Sequence, residues 1–334
     1  MTASATKALL ASAALGALSL APAHAQQAPS ADELVRAQLG APAVGALGEP
    51  DARQGRTYSV NGADIFVEES GSGPDLVLLH GYPLSGALFA RLRPALEDHF
   101  TVVTLDHRGY GQSDADDAGG TIETYAEDAL AVLDQMGIEN AIIGGMSMGG
   151  PITFSMYEQD PDRFGGMILI DTTASAANPA EAGLWDGTRQ IIQANGMDPI
   201  YPALLPDMLS GTTRLNEPEV GDYLVRIMKG ATDEAGEAGA QALRDRPDAT
   251  DLLSRIDVPT LVLVGQEDAL YSMQVSKDMA SKLPDGQLAI VPGASHAAVF
   301  EAPGASAGAI LRWASSRYDN VEYDGMQAAQ RTAR

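Results

Sequence analysis

The chain has 334 residues, of which 45% are hydrophobic and 20% charged, a balance typical of a globular protein with a sizeable core. Its formal net charge of −24 argues against nucleic-acid binding and against docking on anionic lipid, because both need clusters of Lys and Arg. The chain has no cysteine, which excludes disulfides, thiolate metal sites and a cysteine nucleophile. Its five histidines show neither HxH nor HExxH spacing, so we predict no protein-built metal site.

The N-terminus has the features of an export signal. Lys7 supplies a positive charge, residues 8–20 are apolar or small, and Ala23-His24-Ala25 is a small-x-small cleavage site. The apolar stretch is too short to span a bilayer. We therefore predict a signal peptide at residues 1–25, a mature chain from Gln26 in the periplasm or outside the cell, and no membrane span after removal of the signal.

The segment that follows is interpreted as an N-terminal arm. Residues 26–56 are rich in Ala, Pro, Gly and Gln, with a short helix predicted over residues 31–39. From residue 57 onward the pattern changes. Two strands, at residues 58–60 and 64–68, are predicted to meet at Asn61-Gly62, because this dipeptide favours a tight hairpin turn.

The chain then alternates apolar strands with amphipathic helices. The predicted strands are residues 75–80, 101–105, 141–144, 167–170, 260–264 and 288–291. The predicted helices are residues 122–136, 148–159, 276–282 and 304–317. This alternation predicts an α/β fold, with a doubly wound, mostly parallel sheet and helices on both faces.

One long stretch interrupts the alternation. Residues 172–250 contain three helical patterns, at residues 187–194, 201–210 and 219–229, but no strong strand pattern. We predict a helical cap there, over the carboxyl ends of the strands, where open α/β sheets bind ligands. The core is assigned to residues 57–171 and 251–318, and residues 319–334 to a C-terminal tail.

The segment Gly144-Gly145-Met146-Ser147-Met148-Gly149-Gly150 contains the motif G-x-S-x-G between a predicted strand and a predicted helix. In that context the motif predicts a sharp turn that exposes the serine hydroxyl and strains its backbone. Gly145 and Gly149 supply the small neighbours that such a turn needs. The helix N-terminus adds a positive field for a developing oxyanion. We therefore predict that Ser147 is a nucleophile.

A serine nucleophile needs a base and a carboxylate that orients the base. His296 is the one histidine after Ser147, and it follows the last predicted strand. Asp268 follows the strand at residues 260–264 and gives the chain order Ser, Asp, His. Asp171, which follows the strand at residues 167–170, is an alternative acid. Glu267, which directly precedes Asp268, is expected to face solvent.

Two backbone N–H groups are needed to stabilise an oxyanion. Met148, directly after the nucleophile, is predicted to supply one of them. Tyr82, in the loop His80-Gly81-Tyr82-Pro83, is predicted to supply the other. His80 is expected to pack and hydrogen-bond within the fold rather than to act in catalysis.

The glycine-rich loop after the strand at residues 101–105 is interpreted as a structural brace at the same end of the sheet. It begins with Asp106-His107-Arg108-Gly109. Arg108 is expected to form an ion pair. His107 is not favoured as the base, because it precedes the nucleophile in the chain.

These motifs together resemble the α/β-hydrolase superfamily and, within it, the small-capped serine esterases and 3-oxoadipate enol-lactonase-like proteins. The matching segments are His80-Gly81, Asp106-x-Arg108-Gly109-x-Gly111-x-Ser113, the Ser147 motif, Asp171-Thr172-Thr173, residues 243–248, Val258-Pro259-Thr260 and Pro292-Gly293 before His296. The chain departs from that group at Ala269-Leu270-Tyr271, where Thr-Pro is frequent, and at Ala297-Ala298, where leucine is common. Related dehalogenases and epoxide hydrolases carry Asp in place of the serine, so Ser147 indicates acyl transfer.

The resemblance implies a serine hydrolase that cleaves a carboxylic ester or a lactone, macrocyclic lactones included, and the predicted signal peptide implies that this hydrolase is exported. The expected partner is a small-molecule substrate, and the chemistry needs no cofactor. A cofactor-free perhydrolase or acyltransferase with the same triad is an alternative, as is a non-catalytic ligand-binding protein on this scaffold. Apolar side chains of the cap are candidates to line the pocket, although at least half are expected to form the cap core: Trp185, Met197, Tyr201, Leu204, Leu205 and Met208.

Overall fold

A computed structural model describes residues 42–115, 119–318 and 321 of the chain. The predicted signal peptide, the predicted helix at residues 31–39 and most of the predicted C-terminal tail lie outside these residues. Among the helices of the described segments, none has the length and apolar character that a membrane crossing requires.

The strands form one twisted sheet. They are β1 (Arg56–Val60), β2 (Ala63–Gly71), β3 (Asp75–Leu79), β4 (Thr101–Leu105), β5 (Asp114–Ala115), β6 (Ala141–Met146), β7 (Phe164–Ile170), β8 (Thr260–Gly265) and β9 (Gly286–Val291). Their order is β1-β2-β4-β3-β6-β7-β8-β9, with β5 paired to β2. The pairs of β2 are antiparallel, and the pairs from β4 to β9 are parallel. The prediction of a mostly parallel α/β sheet is confirmed.

The described residues also form helices, some beside the sheet and some over the ends of its strands. They are α1 (Ile122–Met136), α2 (Gly149–Gln159), α3 (Pro179–Asn195), α4 (Ile200–Met208), α5 (Gly211–Asn216), α6 (Pro218–Met228), α7 (Asp233–Arg244), α8 (Met273–Lys282), α9 (Ala298–Glu301) and α10 (Pro303–Ser315). Short 3-10 turns occur at Val44–Ala46, Gly86–Phe89, Arg93–Ala95, Pro161–Arg163 and Leu253–Arg255. The predicted helices of the core correspond to α1, α2, α8 and α10.

Local sequence accounts for several element boundaries. The β1–β2 hairpin turns at Asn61 and Gly62, whose φ angles of 47° and 75° fit the predicted turn. Thr121 caps α1 by accepting a hydrogen bond from the Thr124 N–H, and Gly137 ends that helix with a φ of 74°. Every residue of β6 is buried, as expected for a central parallel strand.

The direction of winding reverses at β3, which pairs with β4 on one side and β6 on the other. Val77 lies opposite Val103 of β4 and Ile143 of β6. Crevices at the carboxyl ends of strands form at such reversal points, so the loop after β3 and the turn after β6 are brought together there.

The helices α3–α7 all lie between β7 and β8. They cover the carboxyl ends of the strands, because they contact the loops that follow β3 and β4. The Tyr110 hydroxyl donates to the Ala235 carbonyl at 2.8 Å, and the Tyr82 hydroxyl approaches the Met197 sulfur at 3.9 Å. The three predicted helical patterns correspond to α3, α4 and α6, whereas α5 and α7 were not predicted. The division into core and cap at residues 172 and 250 stays a prediction.

The loop after β4 braces this end of the sheet. The Arg108 guanidinium donates to both carboxylate oxygens of Asp128, at 2.6 and 2.7 Å, which confirms the expected ion pair. The Asp106 carboxylate accepts hydrogen bonds from the N–H groups of Gly86 at 2.7 Å and Gln112 at 2.8 Å. The loop is therefore fixed by buried carboxylates at both of its ends.

We expect Arg108→Met to lower the free energy of unfolding by about 3–5 kcal/mol, because it leaves the buried Asp128 carboxylate without its cation. Asp128 is only 2% exposed. Urea unfolding measures this change. The matched control is Arg255→Met, which breaks an exposed pair with Glu158 and should change stability by less than about 1 kcal/mol. Equal losses in the two variants would contradict the bracing role.

Candidate active site

Ser147 lies on the sharp turn between β6 and α2. Its φ of 53° is unusual for a residue other than glycine, which matches the strain predicted from the motif. A Cβ on Gly145 would overlap the Gly149 carbonyl oxygen, and a Cβ on Gly149 would overlap that of Leu79. The Thr172 hydroxyl, in the segment that follows β7, donates to the Ser147 carbonyl at 2.7 Å and so fixes the turn. The motif glycines are therefore required by close backbone contacts.

Ser147, His296 and Asp268 lie in a hydrogen-bonded row. The Ser147 Oγ is 2.9 Å from His296 Nε2, and His296 Nδ1 is 2.9 Å from Asp268 Oδ2. Since an ionised carboxylate only accepts, Nδ1 carries the hydrogen and leaves Nε2 free to accept the serine proton. The three residues are 7%, 1% and 6% exposed, so the row is shielded from bulk water. This arrangement can remove a proton from the Ser147 hydroxyl.

Asp268 is fixed by its own loop. Its Oδ1 accepts hydrogen bonds from the N–H groups of Leu270 at 2.8 Å and Tyr271 at 3.0 Å. The Tyr271 ring also lies 5.7 Å from the His296 imidazole. The residues at which this chain departs from the enol-lactonase-like group thus contact both the carboxylate and the histidine. Glu267 is exposed, as expected from the sequence.

The alternative acid, Asp171, makes different contacts. Its Oδ1 accepts from the Gly265 N–H at 2.7 Å and its Oδ2 from the Ala298 N–H at 3.3 Å. Burial and the nearby charge of Asp268 raise the pKa of the Asp171 carboxyl. Asp171 therefore joins the end of β8 to the start of α9, while His296 Nδ1 donates its hydrogen bond to Asp268.

The two predicted oxyanion donors lie on either side of the serine. A Cβ on Gly81 would be 2.8 Å from the Ser147 Cβ, so the loop that carries Tyr82 passes directly beside the nucleophile. Tyr82 is 2% exposed, and Met148, which follows Ser147, is fully buried. Within the part of the chain that the structure describes, neither backbone N–H donates to another protein group. Both donors are thus available to a substrate oxygen.

His80 and His107 support the Tyr82 loop from beneath. His80 Nδ1 donates to the Gly81 carbonyl at 2.9 Å, and His80 Nε2 accepts from the His107 N–H at 2.9 Å. Burial lowers the pKa of His80 to about 3 and also lowers the pKa of His107. Both rings are therefore neutral structural groups, and neither contacts Ser147.

A family profile described as the alpha/beta hydrolase fold matches residues 74–303. The chain belongs to the alpha/beta hydrolase family. This hydrolase is 30% identical to a thermophilic esterase from Thermogutta terrifontis, whose structure covers 80% of this chain and 98% of its own length with a TM-score of 0.75.

Two further relatives are named as an enol-lactonase and a haloperoxidase. This hydrolase is 25% identical to the enol-lactonase from Burkholderia xenovorans LB400, with a TM-score of 0.72 over 78% of this chain and 99% of the other. It is 27% identical to a non-heme haloperoxidase from Rhodococcus erythropolis, over 71% of this chain and 90% of that protein. The resemblance to small-capped esterases and enol-lactonases is confirmed.

The cap of this hydrolase reaches the site at several points. Among the six cap side chains considered from the sequence, Met197, Tyr201, Leu204 and Met208 are buried, and Trp185 and Leu205 are partly buried. The Trp185 ring lies 5.6 Å from that of Tyr82. Trp185 and Met197 therefore contact the loop of the oxyanion donor.

Sequence reasoning missed two carboxylates at the cap. Glu181 of α3 receives two hydrogen bonds from Arg246, at 2.6 and 2.8 Å, beside Tyr271. Glu301 of α9 accepts two backbone N–H groups near His296. A lone carboxylate after the apolar run 297–300 was the available signal for Glu301. No group of three or more His, Asp or Glu side chains that could hold a metal occurs in the described residues.

Proposed function

We propose that this alpha/beta hydrolase is a serine hydrolase that cleaves a carboxylic ester or a lactone through an acyl-enzyme. The observation that carries the proposal is the pair of 2.9 Å contacts from Ser147 through His296 to Asp268. A nucleophile, a base and an orienting acid in this geometry are what acyl transfer to serine needs. A purely binding protein has no need of them.

The proposed mechanism begins with attack of the Ser147 Oγ on the substrate carbonyl carbon, while His296 Nε2 takes the hydroxyl proton. Asp268 stabilises the imidazolium that forms. The N–H groups of Tyr82 and Met148 donate to the oxyanion, and the N-terminus of α2 adds a positive field. The leaving alcohol takes the proton from His296. Water, deprotonated by the same histidine, then releases the acid.

The relatives named as an esterase and an enol-lactonase support an ester or lactone as the substrate class. Macrocyclic lactones fall within this class. All groups in the proposed steps come from the chain itself, so we propose that no cofactor takes part. The signal features at residues 1–25 support a mature protein that acts in the periplasm or outside the cell.

The relative named as a haloperoxidase favours a second candidate, a cofactor-free perhydrolase that uses the same triad. In that reaction hydrogen peroxide replaces water in attack on the acyl-enzyme and yields a peracid. The two candidates share Ser147 and differ in the second nucleophile. Peracid formation in acetate and peroxide, compared with ester hydrolysis in water, separates them.

The first test is hydrolysis of p-nitrophenyl esters, from acetate to octanoate, by the mature chain that starts at Gln26. We expect turnover with a preference along the acyl series, and the Ser147→Ala variant serves as the blank. Peracid formation that exceeds hydrolysis would favour the perhydrolase. Absence of both reactions in the folded protein would contradict the proposal and favour a ligand-binding role.

We expect Asp268→Asn to lower kcat by about 10⁴-fold, because the amide favours the wrong histidine tautomer. Asp171→Asn should lower kcat by less than about 100-fold, since Asp171 acts only through the backbone at Gly265 and Ala298. Steady-state hydrolysis of p-nitrophenyl acetate measures both values, and urea unfolding shows that both variants are folded. A greater loss in Asp171→Asn would reverse the assignment of the acid.

A further inference from the structure

The loop that carries His296 is hydrogen-bonded to the cap. The Ala297 N–H donates to the Met208 carbonyl at 2.8 Å, and the His296 N–H lies 3.4 Å from the Asp207 carbonyl. The Ser295 hydroxyl donates to the same Asp207 carbonyl at 2.8 Å. Asp207 and Met208 are the last two residues of α4. Three consecutive residues around the histidine therefore rest on the end of a cap helix.

Glu301 completes this contact from the other side. Its Oε1 accepts the Ser210 N–H at 3.0 Å, and its Oε2 accepts the Ser295 N–H at 2.7 Å. Ser210 lies two residues after the end of α4, and Ser295 directly precedes His296. Glu301 is only 6% exposed. One buried carboxylate thus holds a backbone group of the cap and a backbone group of the histidine loop together.

The loop of His296 is tied to the sheet side by the Glu267 N–H to the Ala294 carbonyl and by Asp171 at Ala298, and the cap contacts hold it from the opposite side. β9 ends at Val291, and the chain turns at Gly293 with a φ of 69° before it reaches the histidine. A displacement of about 1 Å between reacting groups can cost about 100-fold in rate. The row from Ser147 to His296 therefore needs support on the side away from the sheet.

We propose that Glu301 is a positioning residue that couples the seating of the cap to the alignment of His296 with Ser147. The inference rests on the proposed serine hydrolase function. Glu301 touches no substrate in this scheme and acts through the backbone at Ser295. Its effect should appear in the reactivity of Ser147 and not in the binding of substrate.

Glu301→Gln keeps the shape of the side chain but replaces one acceptor oxygen with an NH₂ donor. The N–H groups of Ser210 and Ser295 both point at this side chain, so one of them would face the new NH₂ donor and lose its hydrogen bond. The link between the cap and the histidine loop would then be broken. Ser210→Pro removes the N–H on the cap side. Ser210 has a φ of −58°, and Leu209 before it is extended, so the backbone accepts proline at this position.

The two substitutions form a double-mutant cycle with a defined expectation. In Ser210→Pro/Glu301→Gln the NH₂ group no longer faces a donor, and the amide oxygen can still accept from Ser295. The double variant should therefore react faster than Glu301→Gln alone. Ser210→Ala is the control for the lost hydroxyl, which accepts a hydrogen bond from the Thr213 N–H.

The measurement is the rate constant for inactivation by a fluorophosphonate, together with kcat and KM for p-nitrophenyl acetate. We expect Glu301→Gln to lower the inactivation rate constant and kcat by about 10- to 100-fold, with KM within about threefold of the wild-type value. Asp233→Asn is the matched carboxylate control. Asp233 accepts from the Met197 N–H and so joins two cap segments to each other, and its variant should react within about twofold of wild type.

A wild-type rate in folded Glu301→Gln, or a double variant whose loss equals the product of the single losses, would overturn the proposal. If Glu301→Gln does not fold, Ser210→Pro decides, and a rate equal to that of Ser210→Ala would overturn the coupling. A wild-type protein that reacts with neither reagent would instead contradict the hydrolase function itself. The two failures are therefore distinguishable.

Discussion

Ser147→Ala is expected to lower kcat for p-nitrophenyl acetate by about 10⁶-fold, since loss of the nucleophile of a triad has an effect of this size. The oxyanion donors at Tyr82 and Met148 stay in place, so the residual rate should exceed that of the uncatalysed reaction. Progress curves at high enzyme concentration measure this residual rate. The substitution removes a single hydroxyl that is hydrogen-bonded only to His296, so stability should change little.

The matched control for this variant is Ser155→Ala. Ser155 is a buried serine of α2 whose hydroxyl accepts a hydrogen bond from the Gln159 side chain and makes no contact with the triad. Its kcat should stay within about threefold of wild type, because only a single side-chain hydrogen bond at the surface of the helix is lost. A residual activity in Ser147→Ala above about one-tenth of wild type would remove Ser147 from the mechanism.

His296→Ala is expected to lower kcat by a similar factor of about 10⁶, because the serine hydroxyl then has no base. The double variant Ser147→Ala/His296→Ala should be no less active than either single variant, since the two residues act as one unit. The cavity left by the ring opens beside Asp268, so added imidazole should restore part of the activity of His296→Ala. Steady-state kinetics with and without imidazole measure both effects.

His99→Gln is the control for the histidine. It lies in the turn before the amino end of β4, whereas Ser147 follows the carboxyl end of β6, and β4, β3 and β6 are parallel, so His99 lies at the opposite edge of the sheet. It should keep the wild-type kcat, and imidazole should not change its rate. Retention of more than about one-tenth of kcat in His296→Ala, or additive losses in the double variant, would contradict the role of His296 as the base.

The nucleophile could be predicted from sequence because its requirements are local. The glycines at positions 145 and 149 are dictated by backbone atoms within four residues or in the adjoining strand, so the pattern itself carries the geometry. The strand and helix patterns around Ser147 were equally local. His296 could be predicted because the chain offers a single histidine after the nucleophile.

The sequence reduced the candidates for the orienting acid to Asp268 and Asp171 but could not decide between them. Asp171 and Asp268 both follow parallel strands of the same sheet, and their order in the chain is compatible with either role. What separates them is that Asp268 accepts the hydrogen bond of His296 Nδ1, whereas Asp171 accepts from the backbone N–H groups of Gly265 and of Ala298, 127 positions away. Such partners are set by tertiary packing and leave no local pattern.

The cap was the least predictable part. α7 buries Ala235, Gly236, Gly239 and Ala240, and a face made of such small residues is easily overlooked when helices are predicted from large apolar side chains. Glu301 accepts its hydrogen bond from the cap at Ser210, 91 positions away. The donor is a backbone N–H group, which every residue other than proline possesses. Only the isolation of one carboxylate in an apolar run hinted at this contact, because a buried charge requires specific partners.

The role of Ser147 as the nucleophile is tested directly when the covalent adduct formed with a fluorophosphonate is mapped by mass spectrometry. We expect one adduct per chain, on the peptide that contains Ser147, with no adduct in Ser147→Ala and greatly slowed labelling in His296→Ala. Labelling at another residue, or undiminished labelling of Ser147→Ala, would contradict Ser147 as the nucleophile of this hydrolase.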